Sequence, residues 1–309
     1  MLTIVMYHYV RDLPRTSFPR IKGLLPARFE GQLDYIARHY TVVGVADVIA
    51  ATRGAALPEN ACLLTFDDGL IDHYETVYPI LRARGLRAGF YPVAMPVEEH
   101  RVLDAHKIHF VLATVGSGRL ARELKALLGG RGEELFRRNA SPGRRDSAEV
   151  VFIKRVLQRE LPAAERAAIT DWLFRRYVTG EESTFARELY MSFEHLRAMA
   201  RHGMDVGGHG HAHVWLETLS RQAQREEIER TRVFLRRIGS DRDWIMSYPY
   251  GSYNADTLEL LLTGGAALGL TTRRGVADLA RPFELSRLDT NDLPVSSGEP
   301  VAPRAEVLA

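Results

Sequence analysis

The stretch LLTFDDGLID, residues 63–72, constrains the fold more than any other part of the chain. An apolar run that begins at Ala61 ends on two adjacent carboxylates, Asp67 and Asp68, and Gly69 follows them. Two negative charges this close repel each other, so one of them tends to stay protonated unless a cation holds the pair. The stretch therefore predicts a buried strand that ends beside a positively charged partner.

Predicted strands and helices alternate before and after this stretch. The strands are expected at residues 2–6, 41–43, 61–66, 87–93, 204–208, 244–248, 267–272 and 283–288. Such alternation favours a parallel sheet or barrel with helices outside it, so we predict an α/β fold. Residues 97–190 break the pattern and are predicted to be mostly helical. This indicates a single domain, residues 1–309, that a helical insertion interrupts.

Charge and hydropathy exclude several classes of protein. A formal net charge of +2 gives no reason to expect nucleic acid or a membrane surface as a partner. No apolar stretch is long enough to span a bilayer, and the N-terminal MLTIVMYHYVRD has no basic leader. We therefore expect a soluble, cytoplasmic protein. Cys62 is the only cysteine, which excludes an internal disulfide.

Two further motifs follow predicted strands, where parallel α/β folds place their sites. One is GGHGHAH, residues 207–213, and the other is YPYG, residues 248–251. His209 and His213 are four residues apart, which predicts that both lie on one side of a helical turn, within reach of one metal ion. This spacing alone is weak evidence in a chain with 11 histidines, and a solvated histidine-rich loop is the alternative.

One carboxylate of the aspartate pair and the two imidazoles would make three ligands with open positions beside them. Catalytic zinc, iron and similar divalent ions are held this way. The other aspartate is then available to take a proton from water as the water attacks a carbonyl. The charge of the ion would also let both aspartates stay ionised. A redox iron site uses similar ligands, but nothing in the sequence indicates a cosubstrate.

The order TFDDG, then His-x-x-x-His behind a Gly-rich strand end, then Tyr-Pro-Tyr-Gly resembles the polysaccharide deacetylase family. This is the NodB-like domain, or carbohydrate esterase family four, and the resemblance covers residues 1–96 and 191–292. MYHYV, YPYGSYN and RLDTND look like members found among cell-surface glycan genes. The resemblance implies a distorted seven-stranded (β/α) barrel. It also implies a hydrolase of carbon–nitrogen bonds other than peptide bonds, which removes N-acetyl or O-acetyl groups from an amino sugar, polysaccharide or glycan precursor.

The same resemblance assigns roles to the motif residues. It makes Asp67 the catalytic base. The metal ligands that it implies are Asp68, His209 and His213. The cofactor would be one divalent ion, with zinc expected first, and cobalt, nickel or iron suit the same donors. The expected partner is an acetylated sugar or glycan substrate.

The substrate side of the site is assigned to Tyr250, Pro249 and Arg287, with Tyr250 lining the acetyl pocket. Here the chain departs from the family, whose members often carry an arginine two residues before the proline to orient the base. This chain has Ser247 at that position. The candidate replacements lie at or beyond the last strand ends and are Arg273, Arg274 and Arg287.

A second departure concerns the general acid. Many members have a late Leu-x-His whose histidine protonates the leaving amine, and this chain has no histidine after His213. His8 ends the first predicted strand, and the first and last strands of a closed barrel are neighbours. We therefore predict His8 as the catalytic acid, with a structural histidine as the alternative.

Other functions are compatible with the same residues. A deformylase or a cyclic-ureide hydrolase would use the same ligands on the same scaffold. A degenerate glycan-binding module would hold sugar without turnover, and both departures permit it. Retention of both aspartates favours the enzyme, since a module that only binds glycan has no need of a base.

Overall fold

The computed structural model describes residues 1–295 and divides the chain into two compact units. The first unit contains Met1–Arg11, Gly23–Glu99 and the chain from Arg187 onward. The second contains Asp12–Lys22 and His100–Ala186. All three sequence motifs belong to the first unit.

The first unit is built on a parallel six-stranded sheet. Its strands are β1 (Leu2–Tyr7), β2 (Thr41–Val42), β3 (Ala61–Asp68), β4 (Gly89–Pro92), β5 (Asp205–Val206) and β8 (Leu288–Asp289). The order is β5-β4-β3-β1-β8, and β2 pairs with the first residues of β3. Every residue of β1 and β3 is buried. Strands covered on both faces form continuous apolar runs, which explains why residues 61–66 lack alternation.

The register of β1 against β3 places the ends of the two strands together. Tyr7 is opposite Phe66, so His8, the residue after β1, is level with Asp67, the penultimate residue of β3. Side chains alternate along β3: Cys62 and Phe66 join one core cluster, while Leu63 joins the other. Asp67 shares the face of Leu63.

A second sheet contains β6 (Trp244–Ser247) and β7 (Ala266–Leu270), which are parallel. Within residues 1–295 the two sheets meet only at single bridges, Gly208 with Met246 and Leu270 with Leu285. The α/β class with a parallel sheet is thus confirmed, whereas a closed seven-stranded sheet is not formed. Near the second bridge, the Phe283 carbonyl accepts a hydrogen bond from the Tyr248 hydroxyl at 2.8 Å.

Helices cover the sheet of the first unit. They are α1 (Pro26–His39), α2 (Val45–Thr52), α3 (Tyr78–Ala83), α4 (Ala94–Glu99), α11 (Phe193–Arg201), α12 (Arg221–Ile238) and α13 (Ala255–Thr263). Side-chain oxygens of Ser192, Ser220 and Asn254 cap α11, α12 and α13. Gly239 ends α12 in the left-handed conformation.

The second unit is helical. It contains α5 (Asp104–Val115), α6 (Ser117–Leu127), α7 (Gly130–Asn139), α8 (Ala148–Arg155), α9 (Ala163–Tyr177) and the start of α10 (Glu182–Leu189). Phe110 and Phe174 both pack edge-on against Phe185. Lys107 is fully buried, with its ammonium 2.6 Å from Asp171 and 2.9 Å from Glu182. Among the helices of residues 1–295, none has the length and apolar character needed to cross a membrane.

Candidate active site

The two aspartates lie where β3 turns away from the sheet. Asp68 has φ 76° and Gly69 has φ 70°, so the chain passes through two left-handed residues in succession. A Cβ on Gly69 would lie 2.6 Å from the Cβ of Pro92, at the end of the neighbouring strand. Glycine is therefore required at this turn for conformation and for space.

Asp67 is held by an arginine that is far away in the sequence. The Arg287 guanidinium donates to both carboxylate oxygens, at 3.0 Å and 2.7 Å, which is the strong bidentate geometry. The Ser247 hydroxyl lies between them, 3.2 Å from Asp67 and 3.0 Å from Arg287. Arg287 also donates from Nε to the Thr271 carbonyl at 2.8 Å. Asp67 and Arg287 are each 1% exposed.

This pairing determines the charge of Asp67. Burial alone would raise the pKa of the Asp67 carboxyl, but the Arg287 guanidinium and the His209 ring outweigh it and lower that pKa below its ordinary value. The carboxylate is therefore ionised at neutral pH. Arg287 was assigned to substrate binding from the sequence, and its buried guanidinium is poorly placed for that. Its contact with Asp67 fits the other role raised for it, that of orienting the base.

Asp68 faces two histidines. Its Oδ1 is 3.5 Å from Nε2 of His209 and 3.6 Å from Nε2 of His213. One ligand atom from each of these three residues lies within 4.8 Å of the other two. The Nδ1–H of His209 donates to the Ser247 carbonyl at 2.7 Å, which turns Nε2 toward Asp68. A carboxylate and two imidazoles with this spacing fit one divalent ion.

The electrostatics of the site favour a cation. Burial of His209 opposes its protonation, but the carboxylates of Asp67 and Asp68 outweigh burial and raise the pKa of the imidazole. Two carboxylates thus create a negative potential where the imidazole nitrogens converge. A bound metal ion would neutralise that negative potential without protonation of the imidazole.

The spacing of His209 and His213 predicts that both lie on a helical turn. In the structure they do not. Residues 209–215 form a loop, in which Gly210 has φ 75° and His213 has φ 55°. Left-handed residues interrupt any helix. The rings nevertheless approach to 4.8 Å between centroids because the loop folds back on itself.

Tyr250 stands beside the histidines. Its ring centroid is 4.5 Å from that of His213, and the ring stacks on Trp215 at 4.5 Å with an interplanar angle of 4°. Tyr250 has φ 58°, so the Pro-Tyr-Gly segment is a tight turn that directs the ring toward the histidines. Pro249, which precedes it, is buried. Trp215 follows the histidine motif by two residues, and no sequence pattern indicates its place in the site.

His8 lies next to the aspartates. Its charge is one of the smaller factors that lower the pKa of Asp67. The carbonyl of His8 accepts a hydrogen bond at 2.9 Å from Nε2 of His73, which fixes the backbone there. His73 is fully buried between Phe66 and Phe90. The structure thus brings together the residues selected from the first, third and last strands and from both later motifs.

Comparisons with known proteins agree with this site. Residues 169–269 match the family model described as polysaccharide deacetylase. YxkH of Bacillus subtilis (strain 168), whose name places it among the polysaccharide deacetylases, is 19% identical over 278 residues. That alignment covers 89% of this chain, and the chain spans 66% of the length of the relative.

Two solved structures share the fold along nearly the whole chain. The Streptococcus pyogenes deacetylase PplD in complex with acetate has a TM-score of 0.58 and 18% identity, and 97% of this chain and 98% of PplD are covered. A de-N-acetylase from Aggregatibacter actinomycetemcomitans has a TM-score of 0.58 and 16% identity, with 99% of each chain covered. At identities this low, the similarity shows a shared fold and nothing more. Together with the match of residues 169–269 to the polysaccharide deacetylase model, these likenesses show that the chain is similar to polysaccharide deacetylases in fold and in part of its sequence.

Proposed function

We propose that this protein is a divalent-metal-dependent hydrolase that removes N-acetyl groups from an amino sugar in a glycan or glycan precursor. The observation that carries the proposal is the placement of a buried, arginine-paired Asp67 next to the Asp68, His209 and His213 cluster. A general base beside a three-ligand site is the arrangement that amide hydrolysis by water requires. The chain is proposed to be one deacetylase domain that helices interrupt at about 97–190.

Asp68, His209 and His213 would hold the ion. When bound, a zinc or similar ion supplies Lewis acidity, which polarises the acetyl carbonyl and lets water lose a proton near pH 7. The Ser247 carbonyl supports the cluster by fixing the ring of His209. The donor set also suits cobalt, nickel or iron.

Asp67 is proposed as the general base. Water adds to the acetyl carbon, and Asp67 takes the proton that the water loses. The lowered pKa keeps this carboxylate ionised, and Arg287 with Ser247 holds it in one orientation. Arg287 is thus proposed as a positioning residue that replaces the arginine missing at position 247.

His8 is proposed to complete the reaction as the general acid. The bond between the acetyl carbon and nitrogen breaks, and His8 donates a proton to the departing amine, so that acetate and a free amino sugar result. Its position at the end of β1, level with Asp67 on β3, supports this role. Tyr250 and Pro249 would line the pocket for the acetyl group, and the stack on Trp215 holds the Tyr250 ring in place.

Acetate release tests the proposal. The protein would be stripped of metal with a chelator, reloaded with Zn²⁺ or Co²⁺, and incubated with N-acetylglucosamine oligomers. We expect acetate from the reloaded protein and none from the stripped protein. Parallel O-acetylated and N-formylated sugars separate the alternative hydrolases. Loaded protein that binds the oligomers without releasing acetate would instead identify a glycan-binding module.

A further inference from the structure

We propose that Glu227 is a positioning residue for the metal centre, because it holds the loop between His209 and His213 in the conformation that turns both imidazoles toward Asp68. This inference rests on the proposed metal-dependent function. Glu227 lies on α12, outside all three sequence motifs, and is half-buried. Its action would be on the loop backbone rather than on the ion or the substrate.

The contact between Glu227 and the loop is specific. One carboxylate oxygen, Oε2, accepts hydrogen bonds from the backbone N–H groups of His211 and Ala212, at 3.0 Å each. These two residues lie between Gly210, with φ 75°, and His213, with φ 55°. A carboxylate that accepts two N–H groups makes stronger bonds than a neutral acceptor. It therefore stabilises a loop in which the left-handed conformation of His213 would otherwise cost conformational energy.

The opposite side of the loop is held by α4. The N–H groups of Ala94 and Met95 donate to the carbonyls of Gly210 and His211, at 3.2 Å and 2.9 Å. The loop backbone is thus attached through its carbonyls on one side and through its N–H groups on the other. Without Glu227, the N–H attachment is lost while the α4 attachment remains. The chain between the two ligands can then rotate, which moves His213 relative to Asp68.

Glu227 is itself fixed by its helix. Thr231 donates a hydrogen bond from its hydroxyl to the backbone carbonyl of Glu227 at 2.8 Å, and Ile228 is buried in the core. The His211 side chain is buried as well, with Nε2 3.3 Å from Glu99 on α4. The loop therefore lies between two helices that hold it from both sides, and Glu227 supplies the link to α12.

Metal titration separates this role from the chemistry. The apo protein would be titrated with Co²⁺, followed by visible absorption, and with Zn²⁺ in competition with an indicator. We expect Glu227→Ala to weaken the affinity about 10- to 100-fold, as loss of partners that orient metal ligands commonly does. Glu227→Gln should recover most of the affinity, because an amide oxygen can accept the same two N–H groups. Glu226→Ala, at an exposed neighbour on the same helix, should bind like the wild type.

The outcomes discriminate between the claims. Glu227→Ala that keeps a wild-type circular dichroism spectrum and wild-type affinity overturns the inference, and so does Glu227→Gln that binds as weakly as Glu227→Ala. If the alanine variant does not fold, Glu227→Asp decides, because its carboxylate is one methylene too short to keep both bonds. Wild-type affinity in that variant likewise overturns the inference. Failure of the wild-type protein to bind either metal contradicts the proposed function instead.

Discussion

Asp67 and Asp68 are neighbours in the sequence, but their surroundings divide their tasks. Asp67 faces the interior and is paired with Arg287, while the left-handed Asp68 faces His209 and His213. The repulsion between the two carboxylates is therefore offset by two separate sources of positive charge or hydrogen bonding. One aspartate becomes a fixed anion in the core, and the other becomes available for a cation.

Replacement of Arg287 should change the pH dependence of activity. In Arg287→Met, burial of Asp67 is no longer outweighed, so the pKa of its carboxyl rises. The base is then protonated at a higher pH, and the acid limb of the pH profile of kcat/KM moves upward. We also expect kcat/KM at neutral pH to fall by about tenfold or more, since the base is less well oriented.

The control for that change is Arg273→Met. Arg273 is half-exposed and bonds to Glu284 rather than to Asp67. Removal of Arg273 should leave the acid limb of the pH profile of kcat/KM unchanged. An unchanged acid limb in a folded Arg287→Met variant would refute the positioning role.

Replacement of His8 should depend on the leaving group. His8→Gln is expected to lower kcat for N-acetylated sugars about 10²- to 10⁴-fold, the usual contribution of general acid catalysis. Hydrolysis of p-nitrophenyl acetate should be affected much less, because that leaving group departs without a proton. Rates for both substrates would be compared with those of His39→Gln on α1. An equal loss of rate on both substrates would show that His8 does not act as the general acid.

Some residues of the candidate site could be predicted from the sequence and others could not. The TFDDG and histidine motifs predicted Asp68, His209 and His213 as a cluster because both motifs lie at strand ends, and the structure brings these three residues together. The choice among Arg273, Arg274 and Arg287 could not be made, since it depends on which side chain faces Asp67 across the sheet. Glu227 and Trp215 were missed because their contacts depend on how the loop at residues 209–215 folds.

At the level of elements, the bounds of the long helices agree with signals in the sequence, whereas short elements do not follow the local pattern. Ser220 caps the start of α12, and Gly239 ends that helix in the left-handed conformation. The helical segment after Asp72 begins with a π-turn, His73–Val77, before α3. The predicted strand at 283–288 pairs as a ladder only at Leu288–Asp289. Such short elements are determined by tertiary contacts rather than by local pattern.

The π-turn carries a pH-dependent contribution to stability. Burial lowers the pKa of His73 from 6.5 to about 4, so the folded protein keeps this ring neutral. The unfolded chain takes up a proton below pH 6.5 that the folded chain does not take up until about pH 4. The free energy of unfolding should therefore fall as the pH drops through this interval.

The contribution of His73 can be measured by urea unfolding of the metal-free protein. Between pH 7 and pH 5, protonation of His73 in the unfolded chain should lower the free energy of unfolding of the wild type by about 2 kcal/mol. His73→Gln can still donate to the His8 carbonyl but does not titrate. The loss of stability between the two pH values should be smaller by that amount in the variant. An identical loss in both proteins would show that His73 does not titrate as described.

At the level of the whole molecule, the proposed metal ligands all belong to the first unit, and the helical unit has its own buried charge. Lys107 is fully buried between Asp171 and Glu182. Loss of one partner from a buried ion pair leaves uncompensated charge. Lys107→Met should therefore lower the free energy of unfolding by about 3 kcal/mol.

Metal binding should be insensitive to that change. Under conditions where Lys107→Met stays folded, its affinity for Co²⁺ should equal that of the wild type, because none of the three proposed ligands lies in the second unit. Arg131→Met, which removes an exposed ion pair with Glu165, is the control and should change stability little. Weaker Co²⁺ binding by Lys107→Met would show that the helical unit contributes to the metal site.

The α/β class could be predicted at this scale from the alternation of strands and helices, and the order of three motifs indicated the similarity to polysaccharide deacetylases that the comparisons also find. The absence of a closed seven-stranded sheet could not be predicted, because closure depends on backbone hydrogen bonds at the two places where the sheets meet. No sequence pattern marks those hydrogen bonds. At each place, one bridge stands where a continuous ladder was expected.

The most direct test of the account is Asp67→Asn, measured for metal content and for acetate release from N-acetylglucosamine oligomers. The variant is expected to bind one Co²⁺ or Zn²⁺ per chain, as the wild type does, and its kcat/KM should fall by about 10²-fold or more, since the amide cannot accept the proton. Asp205→Asn, a half-buried carboxylate at the start of β5, should retain activity. Metal-loaded Asp67→Asn that releases acetate at the wild-type rate would contradict the assignment of Asp67 as the base.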